Sequence, residues 1–159
     1  MHIIIDGYNY IFEVYSFKST EIQKARENFV LRLQDYVSRK KVKMEVVFDS
    51  PGDDYLPSSN SQNGVKVVFC SDADEYIKQS VKDNGNPASI LVVTSDGEIL
   101  REVKTKGARV KTPTEFDALL SKSKRRRRAE SNYDEKPSPV HFARTVNHMW
   151  LEEFKNRRK

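Results

Sequence analysis

Four short apolar runs each lead into an aspartate, and this pattern constrains the chain more than anything else in it. The segments are Ile3-Ile4-Ile5-Asp6, Val46-Val47-Phe48-Asp49, Val67-Val68-Phe69 followed by Asp72 and Asp74, and Val92-Val93-Thr94-Ser95-Asp96. All four have strand character, and the continuous run at 89–94 suits a strand buried on both faces of a parallel sheet. If they are neighbouring parallel strands, their carboxylates converge on one edge of the sheet, where open α/β sheets place their ligands. Converging carboxylates repel one another unless a cation neutralises them. The pattern therefore points to divalent-metal chemistry on a phosphate substrate.

Between the runs, the sequence alternates helical and strand signals. Residues 7–18 read as a loop or irregular turn. A helix is expected from Thr20, paired with Gln23 in a capping box, with Ile22, Ala25, Phe29, Leu33, Tyr36 and Val37 at helical spacing. Residues 44–48 read as a strand, and Pro51 to Gly64 as a polar surface loop. A strand at 65–69 and a helix from Ala73 to Lys82 follow, the latter burying Tyr76, Ile77 and Val81. After the strand at 89–94, Ser95 and Glu98 form the pattern of a capping box, which would leave Asp96 free to bind a ligand. Ala108 to Val110 is a short strand. Thr112-Pro113-Thr114-Glu115 opens a further helix that carries Phe116, Leu119 and Leu120 inward. This alternation predicts an α/β fold, a three-layer α/β/α sandwich on a mostly parallel sheet, over residues 1–120.

Charge divides the chain differently. Residues 1–120 carry 16 Lys and Arg against 18 Asp and Glu, a net of −2, whereas residues 121–159 carry 12 against 5, a net of +7. Lys122 to Arg128 holds six basic residues in seven, including Arg125, Arg126, Arg127 and Arg128. Ser131 to Pro137 reads as a linker. A C-terminal amphipathic helix follows, with Val140, Ala143, Val146, Trp150 and Phe154 as its stripe. A near-neutral body with a basic tail is the footprint of a polyanion binder, and arginine suits RNA phosphates and stacked bases. The lone cysteine, Cys70, excludes an intramolecular disulfide and reads as core rather than nucleophile. With no cleavable signal and no apolar run of membrane-spanning length, the expectation is a cytoplasmic protein without a membrane partner.

Mg²⁺ and Mn²⁺ suit the carboxylates. Mg²⁺ prefers oxygen ligands and keeps several waters. Asp6, Asp74 and Asp96 are the leading metal ligands, with Asp49 in support and Asn9 placed to bond a carboxylate, a water or the scissile phosphate. Each acid taken alone has a plainer role as a turn former or helix cap. Four at equivalent strand ends are harder to explain that way. No phosphate-binding glycine loop is present, and His2, His141 and His148 form no zinc pattern.

Ile4-Ile5-Asp6-Gly7-Tyr8-Asn9 resembles the signature of NYN domains, in the PIN-like nuclease superfamily. Val47-Phe48-Asp49, Ala73-Asp74-Glu75-Tyr76-Ile77 and Val93-Thr94-Ser95-Asp96 follow in the same order, and the last two are similar to the YacP-like branch. The resemblance spans most of residues 1–120. It implies a metal-dependent endoribonuclease acting on messenger RNA, with the ribosome as a partner and Asp6, Asn9, Asp49, Asp74 and Asp96 in its acidic site. DNA is not an expected substrate. The basic tail would grip messenger or ribosomal RNA, or the ribosome itself. Asp72 stands where relatives often have threonine, and Gly97-Glu98 departs from the usual continuation. The alternative from a different class is an RNA- or ribosome-binding module with a vestigial site.

Overall fold

All of the apolar runs are strands. In chain order the elements are β1 (His2–Asp6), α1 (Gly7–Val14), α2 (Ile22–Lys40), β2 (Lys43–Asp49), β3 (Ser58–Gln62), β4 (Val65–Cys70), α3 (Ala73–Lys82), a 3₁₀ turn at Pro87–Ser89, β5 (Ile90–Val93), α4 (Gly97–Thr105), β6 (Arg109–Lys111) and α5 (Pro113–Glu130). The computed structural model describes residues 1–15, 21–50 and 58–130. Two compact units divide the chain, Met1–Lys124 and Arg125–Lys159. The linker at 131–137 and the amphipathic C-terminal helix lie outside the described residues.

The six strands form one sheet in the order β3-β4-β2-β1-β5-β6. β3 is antiparallel to β4, and every other pairing is parallel. Strand side chains alternate between faces. Register sets Ile3 beside Met44 and Leu91, and Ile5 beside Val46 and Val93, so these residues share a face. Helices α1, α2 and α5 supply the aromatic packing there: Tyr10 stacks on Phe29 at 4.0 Å between centroids, and Phe116 meets Tyr10 and Tyr36 edge-on. Ile4, Val47, Val68 and Val92 face the other way, against Ile77 and Val81 of α3 and Ile99 and Val103 of α4. The result is a three-layer α/β/α sandwich.

Several local expectations are corrected. Residues 7–14 are helical rather than loop, because Asp6 accepts a hydrogen bond from the Asn9 backbone N–H and Tyr10 and Ile11 provide a buried face. Part of the expected polar loop is β3. Asn63 and Gly64 link it to β4 with φ of 47° and 82°, the two positive angles of a type I′ hairpin turn. Thr20 lies outside the described residues; α2 begins at Ile22, and Glu21 at its cap position makes no side-chain cap bond. α5 runs through the basic stretch to Glu130. Its start is the reciprocal box expected, with Thr112 N–H donating to Glu115 and Glu115 N–H to the Thr112 hydroxyl.

One buried charge stitches the N-terminal half of the sheet to α3. Glu45, 5% exposed, accepts from Lys66 Nζ at 3.0 Å and Tyr76 Oη at 2.6 Å, and pairs with His2 at 3.3 Å. Burial alone would raise its pKa, but the bonds from His2, Tyr76 and Lys66 win and hold it at about 2. The stability this contributes is complete above the ordinary glutamate value and lost as pH falls toward 2. Glu45→Gln should destabilise the protein at pH 7 by on the order of 3 kcal/mol. Denaturant unfolding should show that gap closing as pH falls below about 4.5.

Candidate active site

The sheet changes winding direction between β1 and β5. From β1 the chain proceeds to β2 and β4 on one side, then crosses to β5 and β6 on the other. Such switch points leave a crevice at the carboxyl ends of the strands. Here three hydrogen bonds bridge it. Thr94, fully buried just past β5, donates from its hydroxyl to Asp6 Oδ2 at 3.2 Å. Asn9 Oδ1 accepts from the Ser95 N–H at 2.8 Å and from the Ser95 hydroxyl at 3.0 Å.

The acids are held by helix N-termini. Asp6 Oδ1 caps α1 through the Asn9 N–H at 3.2 Å. Asp96, rather than Ser95, caps α4: its Oδ1 accepts from the N–H groups of Glu98 at 2.8 Å and Ile99 at 3.1 Å. The expectation that Ser95 frees Asp96 is therefore wrong, because the Ser95 side chain turns across to Asn9. Asp96 still has its second oxygen outside the cap. Asp72 caps α3 through the Glu75 N–H at 2.9 Å, which gives the extra acid a structural role. Asp49 Oδ1 accepts from the Ala73 N–H at 2.7 Å, so β2 also docks on the start of α3. Asp74 lies exposed in the first turn of that helix.

Electrostatics show that these groups feel one another. Burial pushes the Asp6 pKa up to about 6; bonds from Asn9 and Thr94 oppose this, and the charges of Asp74 and Asp49 add to it. Asp74 is also raised, by desolvation and then by Asp96, Asp49 and Asp72, with Lys78 opposing. Lys78 is itself engaged by Glu98 and Glu102 on α4. Thus Asp6, Asp49, Asp74 and Asp96 share one field, with Asp72 at its margin.

Among the described residues, no three His, Cys, Asp or Glu side chains stand close enough to form a ready-made metal cage. The donor chemistry still suits a hard divalent cation, since the acids offer only oxygen and surplus negative charge. His2 is bound to Glu45 instead. Cys70 is buried, and burial followed by the Asp49 charge lifts its thiol to about 11, unsuited to a nucleophile at neutral pH. A cleft of about 480 Å³ lined by Met1, Ile3, Leu91, Lys104 and Arg109 lies toward the amino end of β1, away from the acids. Arg125 to Arg128 fall in the last turns of α5. Thr94 and Ser95 are parts of the site that the strand-end pattern does not single out; a buried hydroxyl closing an apolar run is the available signal.

The chain matches the model of the YacP-like NYN domain over residues 3–159. Among solved structures it is similar to Rae1 (YacP) from Bacillus subtilis, with 25% identity, a TM-score of 0.68, and coverage of 99% of this chain and 94% of that one. A tryptophan-to-leucine mutant of the same Bacillus subtilis protein also matches, at 25% identity and a TM-score of 0.67, covering 92% and 90% of the two chains. Comparison with curated proteins gave no match.

The raised Asp6 has a thermodynamic consequence with a definite sign. Between its unfolded value of 3.8 and its folded value of about 6, the native state holds more protons, so stability falls as pH rises through this window. Asparagine at position 6 keeps a cap acceptor and removes the buried charge. Thermal or denaturant unfolding without added metal should show Asp6→Asn matching wild type below pH 4 and exceeding it by on the order of 2–3 kcal/mol above pH 7.

Proposed function

The chain belongs to the YacP-like NYN domain family, and from that premise we propose that it is a divalent-metal-dependent endoribonuclease. The observation that carries this reading is the convergence of Asp6, Asp49, Asp74 and Asp96 on the carboxyl edge of the sheet, where burial raises Asp6 and Asp74 and the neighbouring carboxylates add to the rise. Asp6, Asp74 and Asp96 would hold Mg²⁺ or Mn²⁺, with Asp49 supporting through the first turn of α3. When bound, such an ion polarises a phosphate oxygen and lowers the pKa of a coordinated water.

The chain's own groups supply position. A backbone N–H can only donate, so the Ser95 N–H fixes Asn9 with its oxygen toward β5. The Asn9 amide NH₂ is then the group left to meet a phosphate oxygen or an attacking water. The N-termini of α1, α3 and α4 bring their positive ends to the same edge, which tempers carboxylate repulsion and favours a phosphate. Arg125, Arg126, Arg127 and Arg128 would grip the RNA backbone, with the ribosome as a candidate platform for messenger RNA cleavage.

Incubating RNA with Mn²⁺ and comparing wild type with Asp6→Asn and Asp74→Asn tests the reading. Each substitution should slow cleavage by roughly a hundredfold. Equal activity in all three proteins would contradict the assignment and favour a binding module with a vestigial site. Replacing Arg125 to Arg128 with alanine should flatten the dependence of log K on log salt by roughly 0.7 for each phosphate that is no longer neutralised. An unchanged slope would mean the run touches no phosphate.

A further inference from the structure

The cleft of about 480 Å³ beside β1, β5 and β6 is not part of the acidic site, yet its lining has a definite chemistry. Met1, Tyr36, Leu91, Phe116 and Leu119 give it apolar walls, in which the Tyr36 and Phe116 rings meet edge-on. Lys104, Arg109 and Lys111 also line it, and among the described residues no acid does. Arg109 and Lys111 stand on β6, an edge strand of the sheet, and Lys104 lies in the last turn of α4. Among the described residues, none of these three cations is in an ion pair. Basic residues on an edge strand ordinarily guard it against pairing. That role needs no apolar cavity beside them.

Apolar walls with unpaired cations at one cleft select a ligand that joins an apolar body to negative charge. A nucleotide has both, in its base and its phosphate. The volume lies in the range of small-ligand sites, too little for a duplex. Register then relates the cleft to the acids. Arg109 lies beside Leu91 and Lys111 beside Val93, so both share the face of Ile3 and Ile5, about 7 Å apart along the strand. The Lys111 carbonyl accepts from the Thr94 N–H at 3.2 Å, and the Thr94 hydroxyl donates to Asp6. Positive charge therefore leads from the cleft to the acidic edge. Three residues of β1, about 10 Å, separate Ile3 at the cleft from Asp6.

We propose that this cleft is an RNA exosite that takes the base of one unpaired nucleotide, with Arg109, Lys111 and Lys104 on the phosphates beside it. The inference rests on the RNA-cleaving reading, which places the scissile phosphate of the same strand at the acids. A single strand can splay a base into the cleft, whereas a duplex keeps its bases paired and stacked. The apolar walls should select an unpaired nucleotide over a paired one more strongly than one base over another.

The test is NMR of the methyl groups of Met1, Leu91 and Leu119 in EDTA, where metal-dependent cleavage is absent. The protein is titrated with a short single-stranded RNA, with a duplex of the same sequence and with adenosine monophosphate. The single strand should shift these methyls and the duplex should not. Adenosine monophosphate should shift them only at concentrations roughly a hundredfold higher, because it lacks the linked contacts of a strand. If it acted at the same concentration as RNA, the cleft would be a free-nucleotide site and the RNA assignment would fall. Arg109→Ala, at an exposed position, should keep the wild-type circular dichroism and lower the salt slope of RNA binding by roughly 0.7. Leu119→Trp, which fills the cleft and keeps every cation, should weaken RNA binding roughly tenfold with the slope unchanged. Should Leu119→Trp fail to fold, the methyl shifts in wild type and Arg109→Ala decide alone. Methyls that move with RNA in wild type and less in Arg109→Ala, in a protein that never cleaves RNA with Mn²⁺, would support the exosite and sink the nuclease reading. Methyls that stay still while RNA binds and is cleaved on adding Mn²⁺ would overturn the exosite and leave the nuclease reading standing.

Discussion

The gathering of partly desolvated carboxylates along the carboxyl edge of the sheet is the constraint around which this fold is arranged. Left alone, such a cluster would push the strand ends apart. It is held because helix N-termini meet it. Asp6, Asp72 and Asp96 each cap a helix, and Asp49 accepts from the first N–H of one. The same bonds that fix helix direction therefore fix the acids. The raised pKa values of Asp6 and Asp74 record burial first, and the neighbouring carboxylates add to it.

Holding the acids also requires holding α1, the helix that carries Asn9. Tyr10 Oη donates to Asp117 on α5 at 2.6 Å. Arg32 on α2 pairs with the same carboxylate at 2.8 Å and donates to Tyr15 Oη at 2.7 Å. Glu13 accepts from Thr114 at the start of α5. One short helix is thus tied to two long ones, while Thr94 and Ser95 tie its beginning to β5. At the other end of the sheet, Glu45 with His2, Lys66 and Tyr76 forms a separate polar knot that keeps the β1, β2 and β4 registers together.

Much of this is legible in the chain because buried parallel strands leave continuous apolar runs, and those runs locate the acids that follow them. The Thr112 to Glu115 box is legible too, since both halves of its reciprocal bond are local. Helix α1 is obscured because Gly7 and Asn9 are turn formers in isolation, and only its seat on Phe48 and Phe29 decides the matter. The β3 hairpin carries its signal in Asn63-Gly64, but its polar edge strand resembles a loop by composition. The choice between Ser95 and Asp96 as cap cannot be read locally. It is decided by Asn9, which lies 86 residues away in sequence and draws the serine aside.

Carbon-13 NMR titration of the Asp6 carboxyl tests the central claim most directly, because it reads the field of the cluster at one member. In the metal-free protein it should titrate near 6. The midpoint should fall in Asp74→Asn, where a repelling charge is gone, and should fall when Mg²⁺ is added to wild type. A midpoint at the ordinary aspartate value, indifferent to both Asp74 and Mg²⁺, would contradict the account.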